Sequence, residues 1–146
     1  MRRFGLRTLF VIVLLSAIGV FGLKEYWRAL PPIQRPYSST ELQRLLLSGR
    51  PVLVTVDAGW AMNTSDRPRF MSAEVSRRLR QANLVAMSAD WTTRTPAVDT
   101  LMTSLNQSVI PALVLYSPSD PTKPIVLSQP SSDLEILSAI DAVLKK

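Results

Sequence analysis

The chain of 146 residues contains no cysteine and no histidine. Without cysteine it has no thiolate nucleophile and no disulfide bond, and without both residue types it lacks the commonest ligands of zinc. The absence of histidine also removes the side chain that most often acts as a general acid or base near neutral pH. The composition therefore excludes disulfide exchange by thiols of this chain, cysteine or histidine zinc sites, and imidazole catalysis.

Charged residues are also few, at 19%, and the net charge of +6 is unevenly distributed. Residues 1–30 hold five basic side chains and one acidic side chain, whereas residues 31–146 hold 12 basic and 10 acidic side chains. A nucleic-acid-binding domain needs a basic patch to contact phosphates. We therefore expect no nucleic acid partner. The methionines are spread along the chain and are typical of core filling, so we expect no metal or cofactor.

An uncharged run, TLFVIVLLSAIGVFGL, lies between Arg7 and Lys24. Its length falls between the core of a signal peptide, about 7–15 residues, and a membrane-spanning helix of about 20. The three arginines before the run favour a cytoplasmic N-terminus, and the aromatic residues after it, Tyr26 and Trp27, are of the type that favours the membrane–water interface. We predict a cytoplasmic segment at 1–7 and a transmembrane signal-anchor at 8–27, in a single-pass protein of the inner (cytoplasmic) membrane with an extracytoplasmic, periplasmic C-terminal domain. A cleaved signal peptide is the alternative.

A proline-rich segment separates this run from the rest of the chain. Pro31, Pro32 and Pro36 make residues 28–37 a stiff, extended linker, because proline ends a helix and fixes one backbone angle. We predict that a single folded domain occupies residues 38–146.

The hydrophobic pattern of this domain alternates between short helices and short strands, in the order α-β-α-β-α-β-β-α, which indicates a small α/β sandwich. Capping boxes begin helices at Ser38 and Ser132, and Thr95 precedes a proline at a third helix start. Thr64 and Ser65 are of the type that caps the helix after the first strand. The predicted strands lie at 52–56, 84–87, 111–116 and 125–127, and the residues predicted to face inward on the last helix are Leu134, Leu137, Ile140, Val143 and Leu144.

Two short motifs carry a resemblance to a known family. Trp60 follows the first strand and begins Trp-Ala-Met-Asn-Thr, and Ile110-Pro111 begins a later strand. In this order they resemble the Trp-Cys-x-x-Cys loop and the cis-proline loop of the thioredoxin-like superfamily. With Asp90-Trp91-Thr92 and Pro96 they are similar, more narrowly, to the C-terminal domain of DsbD-type thiol:disulfide interchange proteins. The resemblance implies a central mixed four-stranded sheet flanked by helices and a cis peptide bond before Pro111.

The chain departs from this family at its redox centre. Ala61 and Thr64 stand where the two cysteines would be, and Thr55 stands where the family often has a buried carboxylate. Disulfide exchange needs an attacking thiolate and a second thiol, so we expect no enzymatic activity of this type. A hydroxyl nucleophile at Thr64 or Ser65 would need a base, and the chain has no histidine. The degenerate redox motif therefore comprises Trp60, Ala61, Met62, Asn63 and Thr64.

Two functions remain open. The first is a membrane-anchored, redox-inactive interaction module that acts as an accessory subunit or assembly factor of a membrane complex, or binds an exported protein. The cis-proline loop of this fold offers backbone groups that pair with an extended peptide. The second is a part in envelope thiol–disulfide interchange or cytochrome maturation that uses the thiols of a partner. The candidate peptide-binding residues are Trp60, Ala61, Met62, Ile110 and Pro111.

Overall fold

The computed structural model describes residues 33–60 and 72–145. The predicted cytoplasmic segment and transmembrane anchor lie outside these ranges. Within them, no helix is both long enough and apolar enough to cross a membrane. The described elements are β1 (Arg35–Pro36), α1 (Ser39–Leu47), β2 (Val52–Asp57), α2 (Ala73–Gln81), β3 (Val85–Asp90), α3 (Pro96–Ser104), β4 (Ala112–Ser117), β5 (Asp120–Ser128) and α4 (Asp133–Leu144).

The strands form one mixed sheet in the order β1-β3-β2-β4-β5. β2 is parallel to β3, with Val52 opposite Val85. β4 is antiparallel to β2, with Val56 opposite Ala112, and β5 is antiparallel to β4. β1, β2, β3 and β5 therefore finish at one end of the sheet, where β4 begins. We call this the carboxyl end of the sheet and the opposite end the amino end.

The predicted number of four strands is corrected to five, because the last part of the predicted linker pairs with the sheet. Arg35 and Pro36 lie opposite Met87 and Ser88 of β3, and the Tyr37 amide donates to the Ser88 carbonyl at 2.8 Å. A proline is tolerated here because β1 is an edge strand with a neighbour on one side only. The same reason allows Pro121 and Pro124 in β5, the other edge strand, which is longer than predicted.

The core consists of two hydrophobic layers, one on each face of the sheet. Alternate residues of β2 point to opposite faces, so Val54 packs in the layer beneath α1 and α3, and Leu53 packs in the layer beneath α2 and α4. β2 and β4 are central and almost wholly buried. This arrangement of helices on both faces of one sheet is the predicted α/β sandwich.

The helix starts agree with the sequence at Ser38, Ser132 and Thr95, which precedes Pro96 at the start of α3. Ser38 and Ser132 cap α1 and α4 through their hydroxyls, as predicted. α2 begins at Ala73, and its capping hydroxyl belongs to Ser72, which accepts from the Val75 amide at 3.2 Å. The caps predicted at Thr64 and Ser65 lie outside the described residues.

The predicted inward face of α4 is wrong at two leucines. Leu134 is 74% exposed and Leu144 is 39% exposed, whereas Ile136, Ile140 and Val143 are buried. The buried residues recur at intervals of three and four, as one helix face requires. Leu134 is two positions from Ile136, and this spacing places it on the other side of the helix.

One buried hydroxyl generates a stability prediction. Ser76 in α2 is fully buried, and its Oγ has no hydrogen-bond partner among the described residues. An unsatisfied buried hydroxyl is costly and alanine is the better helix former. We expect Ser76→Ala to raise the free energy of unfolding by about 1 kcal/mol, measured by urea denaturation. The exposed Ser138→Ala in α4 is the control, with a smaller gain, and a clear loss of stability in Ser76→Ala would contradict the assignment.

A buried tyrosine pair generates a second prediction, on alkaline stability. Burial, reinforced by the nearby Tyr37, raises the pKa of Tyr116 to about 12. Between pH 10 and 12 the unfolded chain loses this proton while the folded chain retains it, so stability falls as the pH rises. We expect the free energy of unfolding of Tyr116→Phe to fall less between pH 8 and pH 12, by at most about 2–3 kcal/mol. Urea denaturation across this pH range measures the difference. Parallel curves for the two proteins would contradict this.

Candidate functional site

Three chain segments meet at the carboxyl end of the sheet. The first runs from the end of β2 to residue 60, the second runs from the end of β3 to residue 94, and the third comprises residues 109–111, directly before β4. The pairing of Val56 with Ala112 and of Asp57 with Asp90 sets them side by side. These segments contain Trp60, where the degenerate motif begins, and Ile110-Pro111, and the topology therefore brings Trp60 and the proline loop to one end of the sheet.

A hydrogen-bond relay through Thr92 joins the first two segments. The Gly59 amide donates to the Thr92 hydroxyl at 2.8 Å, and the Thr92 amide donates to the Asp90 carboxylate at 2.8 Å. Hydrogen bonds from Thr92 hold the pKa of the Asp90 carboxyl below its usual range, with the larger effect from the hydroxyl and the smaller from the amide. The relay therefore fixes the backbone immediately before Trp60.

Trp91 stabilises the turn at residues 91–94 through its backbone and its indole ring. Its amide donates to the Asp57 carbonyl at 2.7 Å, and its indole Nε1 donates to Asp99 at 2.5 Å. The Arg94 guanidinium lies over the indole ring, 5.1 Å from its centre, in a cation–π contact. The ring is only partly exposed and packs against the core, so Trp91 holds the turn against the sheet.

The Ile110-Pro111 peptide bond is cis, as the resemblance implied. The Ile110 side chain is buried in the core layer beneath α1 and α3, and Pro111 is half-buried. The Pro111 carbonyl accepts from the Gln129 amide at 2.8 Å, and the Ile110 carbonyl accepts from the Gln129 side chain at 3.1 Å. The Ile110 amide makes no hydrogen bond to the described residues. The Ile110 side chain is therefore part of the core, and the candidate site at Ile110 consists of its backbone groups.

Of the other predicted site residues, Trp60 is 65% exposed, whereas Ala61, Met62, Asn63 and Thr64 lie outside the described residues. The sequence reasoning missed Val109, which is 41% exposed, and Leu134 at the start of α4. β5 ends at the carboxyl end, with Ser128 opposite Ala112, so α4 begins there too. Val109 could have been found from its place before the proline motif; the place of Leu134 depends on tertiary structure.

Thr55 stands at the position where the thioredoxin-like superfamily often has a buried carboxylate. Its side chain is buried in β2, and its hydroxyl donates to the Met87 carbonyl at 3.1 Å. The hydroxyl is satisfied by a neighbouring strand and points to no reacting group. Thr55 therefore contributes a structural hydrogen bond.

Comparison with solved structures shows a thioredoxin-like fold. The oxidised C-terminal domain of Neisseria meningitidis DsbD superposes with a TM-score of 0.57 at 12% identity, over 74% of this chain and 97% of that one. The Trxlp protein of Edwardsiella tarda gives a TM-score of 0.57 at 18% identity, over 74% and 98%. A thioredoxin from Thermus thermophilus gives 0.57 at 20% identity, over 75% and 86%. No protein-family model matches the chain, and no curated protein matches it significantly.

The likeness to these proteins is one of fold, and this chain lacks the cysteines on which dithiol chemistry depends. The described part of the carboxyl end offers backbone groups and exposed apolar side chains. Among the described residues, the exposed large apolar side chains at this end are Trp60, Val109 and Leu134. We call these three residues and the Ile110 backbone the candidate binding edge.

The relay generates a prediction for Thr92. Thr92→Val keeps the shape of the side chain but removes the oxygen that accepts from Gly59. We expect the Gly59 amide to exchange its hydrogen faster and the free energy of unfolding to fall by about 1 kcal/mol, measured by hydrogen exchange and urea denaturation. Thr93→Val is the matched control, since the exposed Thr93 makes no hydrogen bond to the described residues. Equal exchange in the two variants would show that Thr92 does not hold the loop.

Proposed function

We propose that the domain is a redox-inactive, thioredoxin-like interaction module that binds an extended segment of a partner protein at the candidate binding edge. The chain is presented on the extracytoplasmic side of a membrane by its N-terminal segment. There it serves as an accessory subunit or assembly factor of a membrane complex.

The observation that carries this proposal is the Ile110 amide, which has no hydrogen-bond partner among the described residues, beside exposed apolar side chains. Trp60, which follows β2, and Val109, which precedes Ile110, are both exposed. A peptide that adds as a strand gains affinity from main-chain hydrogen bonds and specificity from side-chain contacts. The carboxyl end supplies both kinds of contact without a thiol.

The contact between Gln129 and Ile110 shapes how such a segment would pair. The Gln129 side chain already donates to the Ile110 carbonyl, so an incoming chain meets an acceptor that is partly occupied. The Ile110 amide makes no hydrogen bond to the described residues, so it is the group that gains most from a carbonyl of the partner. We therefore expect one strong main-chain bond at Ile110, with the remaining affinity supplied by the apolar side chains.

The membrane part of the proposal is supported by the sequence. The uncharged run after Arg7, the arginines before it and the aromatic residues after it are typical of a signal-anchor. A fixed tether raises the local concentration of a module near a membrane complex and favours binding of modest intrinsic affinity.

Site-specific photocrosslinking of the full chain in native membranes tests the proposal. We expect a photoreactive amino acid at Trp60 or at Val109 to capture one discrete partner protein, identified by mass spectrometry, because both side chains are exposed at the candidate binding edge. The control is the same amino acid at Ser138, which is exposed on α4 away from this edge.

Equal yields at all three positions, or none at Trp60 and Val109, would contradict the proposal. If the captured protein is a dithiol oxidoreductase and loss of this chain alters the thiol status of envelope proteins, the second function considered from the sequence would replace the first.

A further inference from the structure

The charges of the domain are separated along the strand direction. Residues 33–60 and 72–145 contain nine lysine and arginine side chains and nine carboxylate side chains, so this part of the chain has no net charge. Of the basic residues, Arg35, Arg44 and Arg94 place their charges toward the carboxyl end, since Arg35 and Arg44 both pair with Glu41, and the other six lie in the half toward the amino end. Of the carboxylates, Asp120 and Asp141 lie toward the amino end, and the other seven lie toward the carboxyl end.

The placement follows from the topology. α1, α2 and α4 each follow a strand that finishes at the carboxyl end, so they start near that end and run toward the amino end. Glu41, Glu74 and Glu135 lie in their first turns. The ion pair between Arg78 and Asp141 joins the later parts of α2 and α4, as expected for helices that run in the same direction. Helix dipoles favour this arrangement, but the basic residues of the amino end include others outside the helices, Arg50 and Lys123.

The amino end also carries exposed apolar side chains. Ile33 is 92% exposed, Leu47 is 89% exposed, and Leu144 is 39% exposed. Ile33 lies before β1, Leu47 ends α1 just before β2, and Leu144 ends α4, so all three lie at this end of the sheet. The amino end thus combines basic and apolar groups, a combination that suits an anionic lipid surface.

The chain also enters the domain at this end. Ile33 is the first described residue, and only residues 28–32 separate it from the transmembrane segment predicted at 8–27. Five residues reach at most about 18 Å when fully extended. If the tether of the proposed function is correct, the amino end is held within that distance of the membrane.

We infer that the amino end of the domain docks on the surface of an anionic bilayer, with Leu47, Ile33 and Leu144 in the headgroup region and Lys123 and Lys145 facing the lipid phosphates. This inference rests on the proposed membrane tether. It orients the domain so that the candidate binding edge, at the opposite end of the sheet, points away from the membrane and toward a partner in the extracytoplasmic space.

The absence of cysteine makes the orientation measurable, because one introduced cysteine gives one labelled site. The full chain is placed in nanodiscs of phosphatidylcholine and phosphatidylglycerol, with a nitroxide at Leu47→Cys or, as the matched control, at Leu134→Cys. Both leucines are highly exposed and lie at opposite ends. Electron paramagnetic resonance compares access of oxygen, which concentrates in lipid, with access of a water-soluble nickel complex. We expect a severalfold higher oxygen-to-nickel ratio at position 47 than at position 134.

The contribution of the two lysines to membrane docking is tested by introducing Lys123→Gln and Lys145→Gln together into the spin-labelled chain. Removing two basic side chains from an anionic surface is expected to weaken docking about thirtyfold, which lowers the ratio at position 47 and leaves position 134 unchanged. Phosphatidylcholine alone, or about 0.5 M salt, which shortens the screening length to about 4 Å, should have the same effect.

Equal ratios at the two positions, or a higher ratio at position 134, would overturn the docking while leaving the tether intact. A full chain that does not enter the nanodiscs would overturn the tether and the docking together. Neither result bears on whether the candidate binding edge holds a partner, which the crosslinking experiment decides.

Discussion

The antiparallel pairing of β2 with β4 is the constraint on which the rest of the molecule depends. Both strands are central and buried, and their register places Val56 opposite Ala112. Because the pairing joins the end of β2 to the start of β4, the loop after Asp57 and the loop before Ala112 must share one edge. A slip of one residue would turn every side chain of β4 to the other face and would separate the Ile110 backbone from the loop that carries Trp60.

Much of this fold could be predicted from the sequence because the signals are local. Serines at helix starts, prolines at strand and helix starts, and apolar runs of strand length each act through their near neighbours. What escaped prediction depends on distant contacts. Arg35 and Pro36 become a strand only because β3 offers an edge to them, and Leu134 is exposed because the inward face of α4 is set by the layer against which it packs.

The candidate site shows the same division. Trp60 and Ile110-Pro111 could be found by their resemblance to known motifs. That the Ile110 side chain is buried, that Gln129 binds its carbonyl, and that Thr92 holds Gly59 could not, since these contacts join residues 19 and 33 positions apart. A thioredoxin-like fold is shared with proteins such as the DsbD C-terminal domain, which exists in an oxidised form. This chain adopts the fold without cysteine, so what its carboxyl end can offer a partner is shape, backbone groups and charge.

The central claim is that a partner pairs with the Ile110 backbone, and hydrogen exchange at the Ile110 amide tests it most directly. The measurement compares the full chain in membranes with and without the captured partner, resolved to single residues. Our account predicts that the Ile110 amide becomes strongly protected when the partner is bound, while amides at the amino end of the sheet do not change. A bound partner that leaves the exchange of the Ile110 amide unaltered would contradict it.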